Sequence, residues 1–220
     1  MQILDTTTSD QLIFEWLHSE WWRLPVPGNK DLIDNPDLTD ARENSQRLEL
    51  LNSYRRPIIG GLPRDIHPKW VNIETEDLPN VYIVPTYDWF LDTGGTFRLT
   101  DTAAHLKTGR GADLGGGREI ITHHQEVDIK SQYLSDYDAA TTNEVLVLVA
   151  PGEDGPYTII DGTHRATALY LSHLQSPNMP WKGMLISDHR IANSRWHINS
   201  PQARLWIGHM GLLASQGRLW

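Results

Sequence analysis

Five consecutive residues, numbered 161–165 and reading DGTHR, offer a carboxylate, a flexible backbone position, a hydroxyl, an imidazole and a guanidinium. They follow the apolar run YTII at 157–160, which is typical of a buried strand. After them, residues recur at the spacing of one helix face, namely Ala166, Leu169, Tyr170, His173 and Leu174. The sequence therefore predicts a strand, a tight turn at Gly162 and a helix that begins at or near Thr163.

A helix that begins in this way is suited to bind an anion. Its first backbone amides have no partner within the helix and carry the positive end of the helix dipole. The predicted phosphate-binding residues are Gly162, Thr163, His164, Arg165 and Thr167. Asp161 would repel an anion, so we expect it to hold a metal ion or to orient His164. Together these residues are suited to bind a nucleotide di- or triphosphate with magnesium. The alternative is that they only cap the helix, with Arg165 at the protein surface.

The string IIDGTHRATALYL resembles the Asp-Gly-x-His-Arg signature of the ParB/sulfiredoxin-like superfamily, especially its free-serine kinase branch. The resemblance covers about residues 115–188. It implies that His164 and Arg165 bind nucleotide phosphates and that Asp161 takes part in nucleotide and magnesium handling. Sulfiredoxins carry a reactive cysteine where this chain has Thr163, so sulfinic-acid reduction by that route is excluded.

The kinase branch also uses a glutamate, often after a histidine, as the base that activates the acceptor. The segment HHQEVD at 123–128 stands in the corresponding place, and Glu126 is the first candidate for the base. Asp128 and His124 follow as second and third candidates, and both are candidates for substrate binding. A transition-metal site and a solvated polar turn are alternative interpretations of this segment.

A third polar cluster, SDHRIANSRWH at 187–197, follows the last predicted strand of the core. Arg190 and Arg195 are candidates for binding the carboxylate of a substrate. A network of surface salt bridges among these residues is the alternative, and it is the interpretation that we favour.

The fold class predicted is α+β: a small mixed β-sheet with flanking helices, which the resemblance makes a ParB/sulfiredoxin-like core. Strands are predicted at 81–85, 119–129, 144–150, 157–160 and 182–187, with helices at 130–140 and near the C-terminus. Residues 1–78 are predicted to form a helical, tryptophan-rich extension that packs on the core of residues 79–220. Its helices are expected at 9–22 and at 36–54, the second of them ended by Pro57.

Composition narrows the classes of function. The chain contains no cysteine, which excludes thiolate metal sites and a thiol nucleophile. A formal net charge of −9 argues against a nucleic-acid partner, because no basic stripe offsets it. The segment GRGADLGGGR lacks the lysine and hydroxyl of a P-loop, so a flexible connection is expected there. We find no signal peptide or membrane span, and expect a cytoplasmic protein without a membrane partner.

Together these observations predict an ATP- or ADP-dependent kinase with magnesium, acting on a hydroxyl of an amino acid or a similar polar metabolite. One alternative is a nucleotide-binding regulatory module that associates with DNA, as ParB proteins do. Another is a biosynthetic enzyme that uses the same anion-binding turn for a ligand other than a nucleotide.

Overall fold

The computed structural model describes residues 1–20, 31–107, 125, 128, 145–173 and 180–216. Six strands form one sheet in the order β1-β2-β6-β4-β5-β3. The strands are β1 (Gln2–Thr6), β2 (Lys69–Ile73), β3 (Val81–Ile83), β4 (Leu146–Ala150), β5 (Tyr157–Asp161) and β6 (Trp181–Ser187). Two neighbouring pairs, β4 with β6 and β3 with β5, run parallel, and the other pairs are antiparallel. The predicted mixed sheet is confirmed.

Helices flank this sheet, as the sequence predicted. They are α1 (Ser9–Glu20), α2 (Asp31–Asp34), α3 (Ala41–Ile59), α4 (Tyr87–Thr93), α5 (Leu99–Lys107), α6 (Thr163–His173) and α7 (Pro201–Ser215). Two short 3-10 helices, Thr75–Asn80 and His189–Asn193, complete the described elements. Helix α1 packs on α3, α5 packs on α6, and α4 packs on α7. None of the described helices is long and apolar enough to cross a lipid bilayer.

The centre of the sheet is fully buried. All five residues of β4 and all five of β5 are buried. A continuous run of branched apolar residues forms such strands because both faces of the sheet are covered. Each buried valine, leucine or isoleucine side chain contributes roughly 1.5–3 kcal/mol relative to an exposed one. This packing fixes the end of β5, and with it the position of Asp161.

Residues 1–78 contribute strands as well as helices, which differs from the helical extension that we predicted. Strand β1 pairs with β2, and β2 pairs with β6, so both belong to the same sheet as the core. In β2 the buried residues Val71 and Ile73 alternate with partly exposed neighbours, which is the pattern of a strand with unequal faces. The boundary at residues 78 and 79 stays a prediction.

Of the two long N-terminal helices, α1 lies within its predicted range of 9–22 and α3 ends later than predicted. The residues Leu12, Trp16 and Leu17 of α1 are buried. Helix α3 was expected to end at Pro57 but continues to Ile59. The hydrogen bond that a proline cannot donate is offset there, because Ile58 and Ile59 pack against the core.

Candidate active site

The DGTHR segment lies at the end of the sheet where β3 and β5 finish and β4 begins. Strands β3 and β5 are parallel, with Ile83 opposite Ile159, so their carboxyl ends meet at this edge. Strand β4 runs the other way and begins here, with Val147 opposite Asp161. Helix α4 follows β3 and helix α6 follows β5 directly. The topology therefore places α4 and the start of β4 beside the first turn of α6.

Gly162 makes the turn between β5 and α6. Its φ is +83°, a backbone conformation that residues other than glycine rarely adopt. A Cβ at this position would lie 2.6 Å from Arg165 Nη2 and 2.7 Å from Leu146 Cδ2. The N–H of Ala166 donates to the carbonyl of Gly162 at 2.8 Å, which begins the helix. Glycine is needed here both for its backbone conformation and for the close approach of the guanidinium.

Arg165 lies inside the protein and not at the surface, in contrast to the capped-helix alternative. Its side chain is 5% exposed, and Nη2 donates to the carbonyl oxygen of Val145 at 2.8 Å. A guanidinium taken out of water costs several kcal/mol unless hydrogen bonds satisfy it. The bond to Val145 and the absence of a side chain at Gly162 hold the charge beside the turn.

Asp161 is also buried, with 4% of its surface exposed. The hydroxyl of Ser19 in α1 lies 3.3 Å from Asp161 Oδ2 and 2.8 Å from the carbonyl of Trp16, so its proton has two acceptors within reach. Helix α1 thus contacts the site, a contact that the sequence did not predict. Nothing in the local pattern links two residues that lie 142 positions apart.

His164 is half-buried and lies against an aromatic ring of α4. The ring centroids of His164 and Trp89 are 5.0 Å apart, with the planes tilted by 45°. Trp89 is buried and was not among the predicted site residues. Its only signal in the sequence is its place shortly after the predicted strand at 81–85.

Thr163 and Thr167, which were both predicted to bind phosphate, have different surroundings. Thr163 is the first residue of α6 and is buried. Thr167 is 0% exposed, and its hydroxyl donates to the carbonyl of Thr163 at 2.9 Å. The Thr167 hydroxyl is therefore engaged within the helix and does not lie on a surface that a phosphate would reach.

Magnesium is the metal that the resemblance implies, and Asp161 is its predicted ligand. Among the residues that the structure describes, no three histidine, aspartate or glutamate side chains cluster closely enough to hold a metal ion. Magnesium bound with a nucleotide needs only one or two carboxylates, because phosphate oxygens and water supply the remaining ligands. A single carboxylate, such as that of Asp161, is therefore enough in number for a magnesium ion that arrives with a nucleotide.

The residues predicted for the base lie mostly outside the described part of the chain. Glu126 and His124 are among the residues left undescribed, as are the glycine-rich segment and the predicted helix at 130–140. Gln125 and Asp128 are described, and both are helical and exposed, whereas we predicted a strand running into a polar turn. The assignment of Glu126 as the base stays a prediction.

The third polar cluster lies at the opposite end of the strands. Strands β4 and β6 are parallel, with Ala150 opposite Ser187, so the segment after β6 leaves the sheet where β4 ends. The turn at Gly162 lies near the start of β4, about 10 Å away along the strand direction, given the usual rise per residue. The structure therefore does not bring Arg190 together with Asp161.

Arg190 forms a network of surface salt bridges. Its Nε lies 2.9 Å and its Nη2 2.6 Å from the two carboxylate oxygens of Asp188. Its Nη1 lies 2.8 Å from Asp65 Oδ1. Hydrogen bonds from Arg190 lower the pKa of Asp188 to about 2, and both carboxylates raise the pKa of Arg190. These contacts match the salt-bridge alternative for this residue.

Arg195 has a different environment from Arg190. Its Cζ lies 4.4 Å from the ring centroid of Trp196 and 4.6 Å from that of Trp206 in α7. Burial lowers the pKa of Arg195 and also that of His197. No carboxylate of the described residues forms a salt bridge with Arg195.

Comparison with known proteins adds no family to this description. No protein-family model, no curated protein and no solved structure matches the chain. The function must therefore be argued from the site itself.

Proposed function

We propose that this protein is a nucleotide-dependent phosphotransferase whose core is of the ParB/sulfiredoxin-like type. It would use ATP or ADP with magnesium and act on a hydroxyl of an amino acid or a similar polar metabolite. The observation that carries the proposal is the buried guanidinium of Arg165, which lies against Gly162 at the N-terminus of α6.

The electrostatics of this turn favour an anion. The first amides of α6 carry the positive end of its dipole, and the guanidinium adds a full positive charge behind the same turn. Because Arg165 is buried, water screens its charge less than it would at the surface. The carboxylate of Asp161 opposes this potential, so a phosphate is favoured most when a divalent cation accompanies it.

Each side chain of the turn has a role in this proposal. The half-buried His164 donates to a phosphate oxygen, and its contact with Trp89 limits the orientations of the imidazole. Arg165 acts through its charge, since its Nη2 is already bonded to Val145. Asp161 holds magnesium, which when bound neutralises charge on the phosphates. Glu126 remains the proposed base.

The test combines binding with turnover. Calorimetry should show binding of ATP or ADP at millimolar concentration only when magnesium is present. His164→Ala should weaken that binding at least about tenfold, as expected for loss of a charge-assisted hydrogen bond. Arg190→Gln serves as the control, because it removes a cation at the other end of the strands and should leave binding unchanged.

Turnover then separates the candidate functions. Phosphorus NMR should show transfer to free serine or another small hydroxyl compound, and Glu126→Ala should abolish transfer while binding persists. Nucleotide binding without transfer, together with salt-dependent DNA binding, would instead indicate a regulatory module. If neither nucleotide binds, the proposal is wrong.

A further inference from the structure

Helix α7 packs on α4 and on the core through one of its sides. Ala203, Ile207 and Gly211 follow this side at intervals of one helical turn. Ala203 is 0% exposed, and Ile207 packs against the core. A Cβ at Gly211 would lie 3.0 Å from Tyr87 Cε2 in α4, so the two helices approach closely there. The other side of α7 therefore points away from α4.

This other side carries exposed apolar residues. We call it the α7 outer face and define it as Leu205, Gly208, His209 and Leu212, all of which are exposed. Leu205 is 73% exposed and Leu212 is 55% exposed, the two highest values among the large apolar side chains of the described residues. Single apolar side chains at a surface are ordinary, but these two share one helix face, about 10 Å apart along its axis. Such spacing is typical of a helix that packs on a partner.

Charge limits which partner can cover the α7 outer face. Arg204 is the only charged residue in the sequence of α7, and it lies to one side of the face. The chain as a whole carries a formal net charge of −9, so it repels nucleic acids and anionic lipid surfaces. Two copies of the chain repel each other as well, except where faces without charged residues meet. The α7 outer face is a surface of that kind.

The order of residues on the face suits a second copy of the same chain. Leu205 lies three residues before Gly208, and Leu212 lies three residues after His209, so a leucine stands at each end. A two-fold axis between Gly208 and His209 would set α7 antiparallel to its copy and place each Leu205 against the partner's Leu212. Each Gly208 would then face the partner's His209. A Cβ at Gly208 would meet nothing within 4 Å, so the glycine leaves room for that imidazole.

We infer that the α7 outer face joins two copies of this chain into an antiparallel, two-fold dimer. A two-fold contact requires a surface that is complementary to itself, and this arrangement of leucines, glycine and histidine meets that requirement. One helix face is smaller than the roughly 1,200 Å² that a stable interface buries, so the dimer should form reversibly. The inference does not depend on the phosphotransferase proposal, because it uses none of the residues of the turn at Gly162.

Sedimentation equilibrium measures the association directly. The mass of the unchanged protein should rise from 25.0 kDa towards twice that value as its concentration increases from micromolar to millimolar. Leu205→Glu and Leu212→Glu should each weaken association at least about tenfold, because each places a carboxylate against a leucine. Leu48→Glu is the matched control, since it adds the same charge at an exposed leucine of α3. It should leave association unchanged.

A mixture of two variants tests the antiparallel pairing. Leu212→Lys alone should weaken association, as Leu212→Glu does. Mixed with Leu205→Glu, it should form a heterodimer that is at least about tenfold tighter than either variant with itself. In that heterodimer the new glutamate meets the new lysine, while the remaining two leucines stay paired. A mixture that associates no better than its components would overturn the antiparallel arrangement.

Other outcomes decide against the dimer. The inference is overturned if the protein stays monomeric at every concentration, or if both glutamate variants associate as the unchanged protein does. It is also overturned if Leu48→Glu weakens association equally. A monomer that binds uncharged lipid vesicles through Leu205 and Leu212 would show that the face meets a membrane. A monomer whose Leu212→Glu variant melts at a lower temperature would show that the same chain covers the face.

Discussion

The turn at Gly162 and the segment after β6 each contain an arginine that is at least partly buried, but the two guanidinium groups are held in different ways. Arg165 donates to the backbone of Val145 and packs against a glycine, so the fold itself fixes its charge. Arg195 instead lies over the indole rings of Trp196 and Trp206. A charge that a backbone carbonyl holds in place shapes the potential around a site, whereas cation–π contacts hold a guanidinium by its faces.

The largest effect should come from closing the space beside Arg165. Gly162→Ala forces a side chain into a left-handed conformation and against the guanidinium, which should lower the free energy of unfolding by about 3 kcal/mol. Gly152→Ala is the matched control, since its Cβ meets nothing within 4 Å. Urea unfolding of both variants checks this. Equal stabilities would mean that the turn at residue 162 accommodates a side chain.

Removing the charge of Arg165 should have the next largest effect on the free energy of unfolding. Arg165→Gln leaves the carbonyl of Val145 without its cationic donor, so we expect a loss of about 2 kcal/mol in unfolding free energy. Arg190→Gln removes the same charge from the surface and should change stability little. If both variants unfold at the same urea concentration, the buried position of Arg165 contributes nothing to the fold.

A smaller effect is expected where α1 meets the site. Ser19→Ala removes the hydroxyl beside Asp161 and should cost about 1 kcal/mol, the usual value of one hydrogen bond. Ser53→Ala is the control, because that exposed hydroxyl donates to the carbonyl of Leu50 in its own helix. Chemical denaturation measures both. A Ser19 variant as stable as the Ser53 variant would argue against the contact between α1 and Asp161.

The local part of this structure followed from the sequence. The continuous apolar runs of β4 and β5 and the helical spacing after Thr163 are signals within a few residues, so the strand, turn and helix were predictable. Contacts across the fold were not. Ser19 reaches Asp161, and Trp89 reaches His164, only because of a strand order that no short pattern encodes. The same order separates Arg190 from the turn.

The smallest effect concerns the surface network and its response to pH. Arg190 lowers the pKa of Asp188 to about 2 in the folded protein, below the usual value of 3.8. The pair therefore stabilises the fold fully above about pH 4, and this stabilisation is lost as the pH falls towards 2. In Asp188→Asn, the free energy of unfolding should fall slightly less than in the unchanged protein as the pH is lowered from about 4 towards 2. An equal fall in both proteins would mean that solvent screens the pair completely.

Backbone amide NMR tests the central claim most directly, because it reports on the first turn of α6 itself. Titration with ADP and magnesium should shift the amide signals of Thr163, His164 and Arg165 more than those of Arg190 and Arg195. The same titration without magnesium should shift them much less. If these three amides do not respond while the protein stays folded, the turn does not bind a polyphosphate.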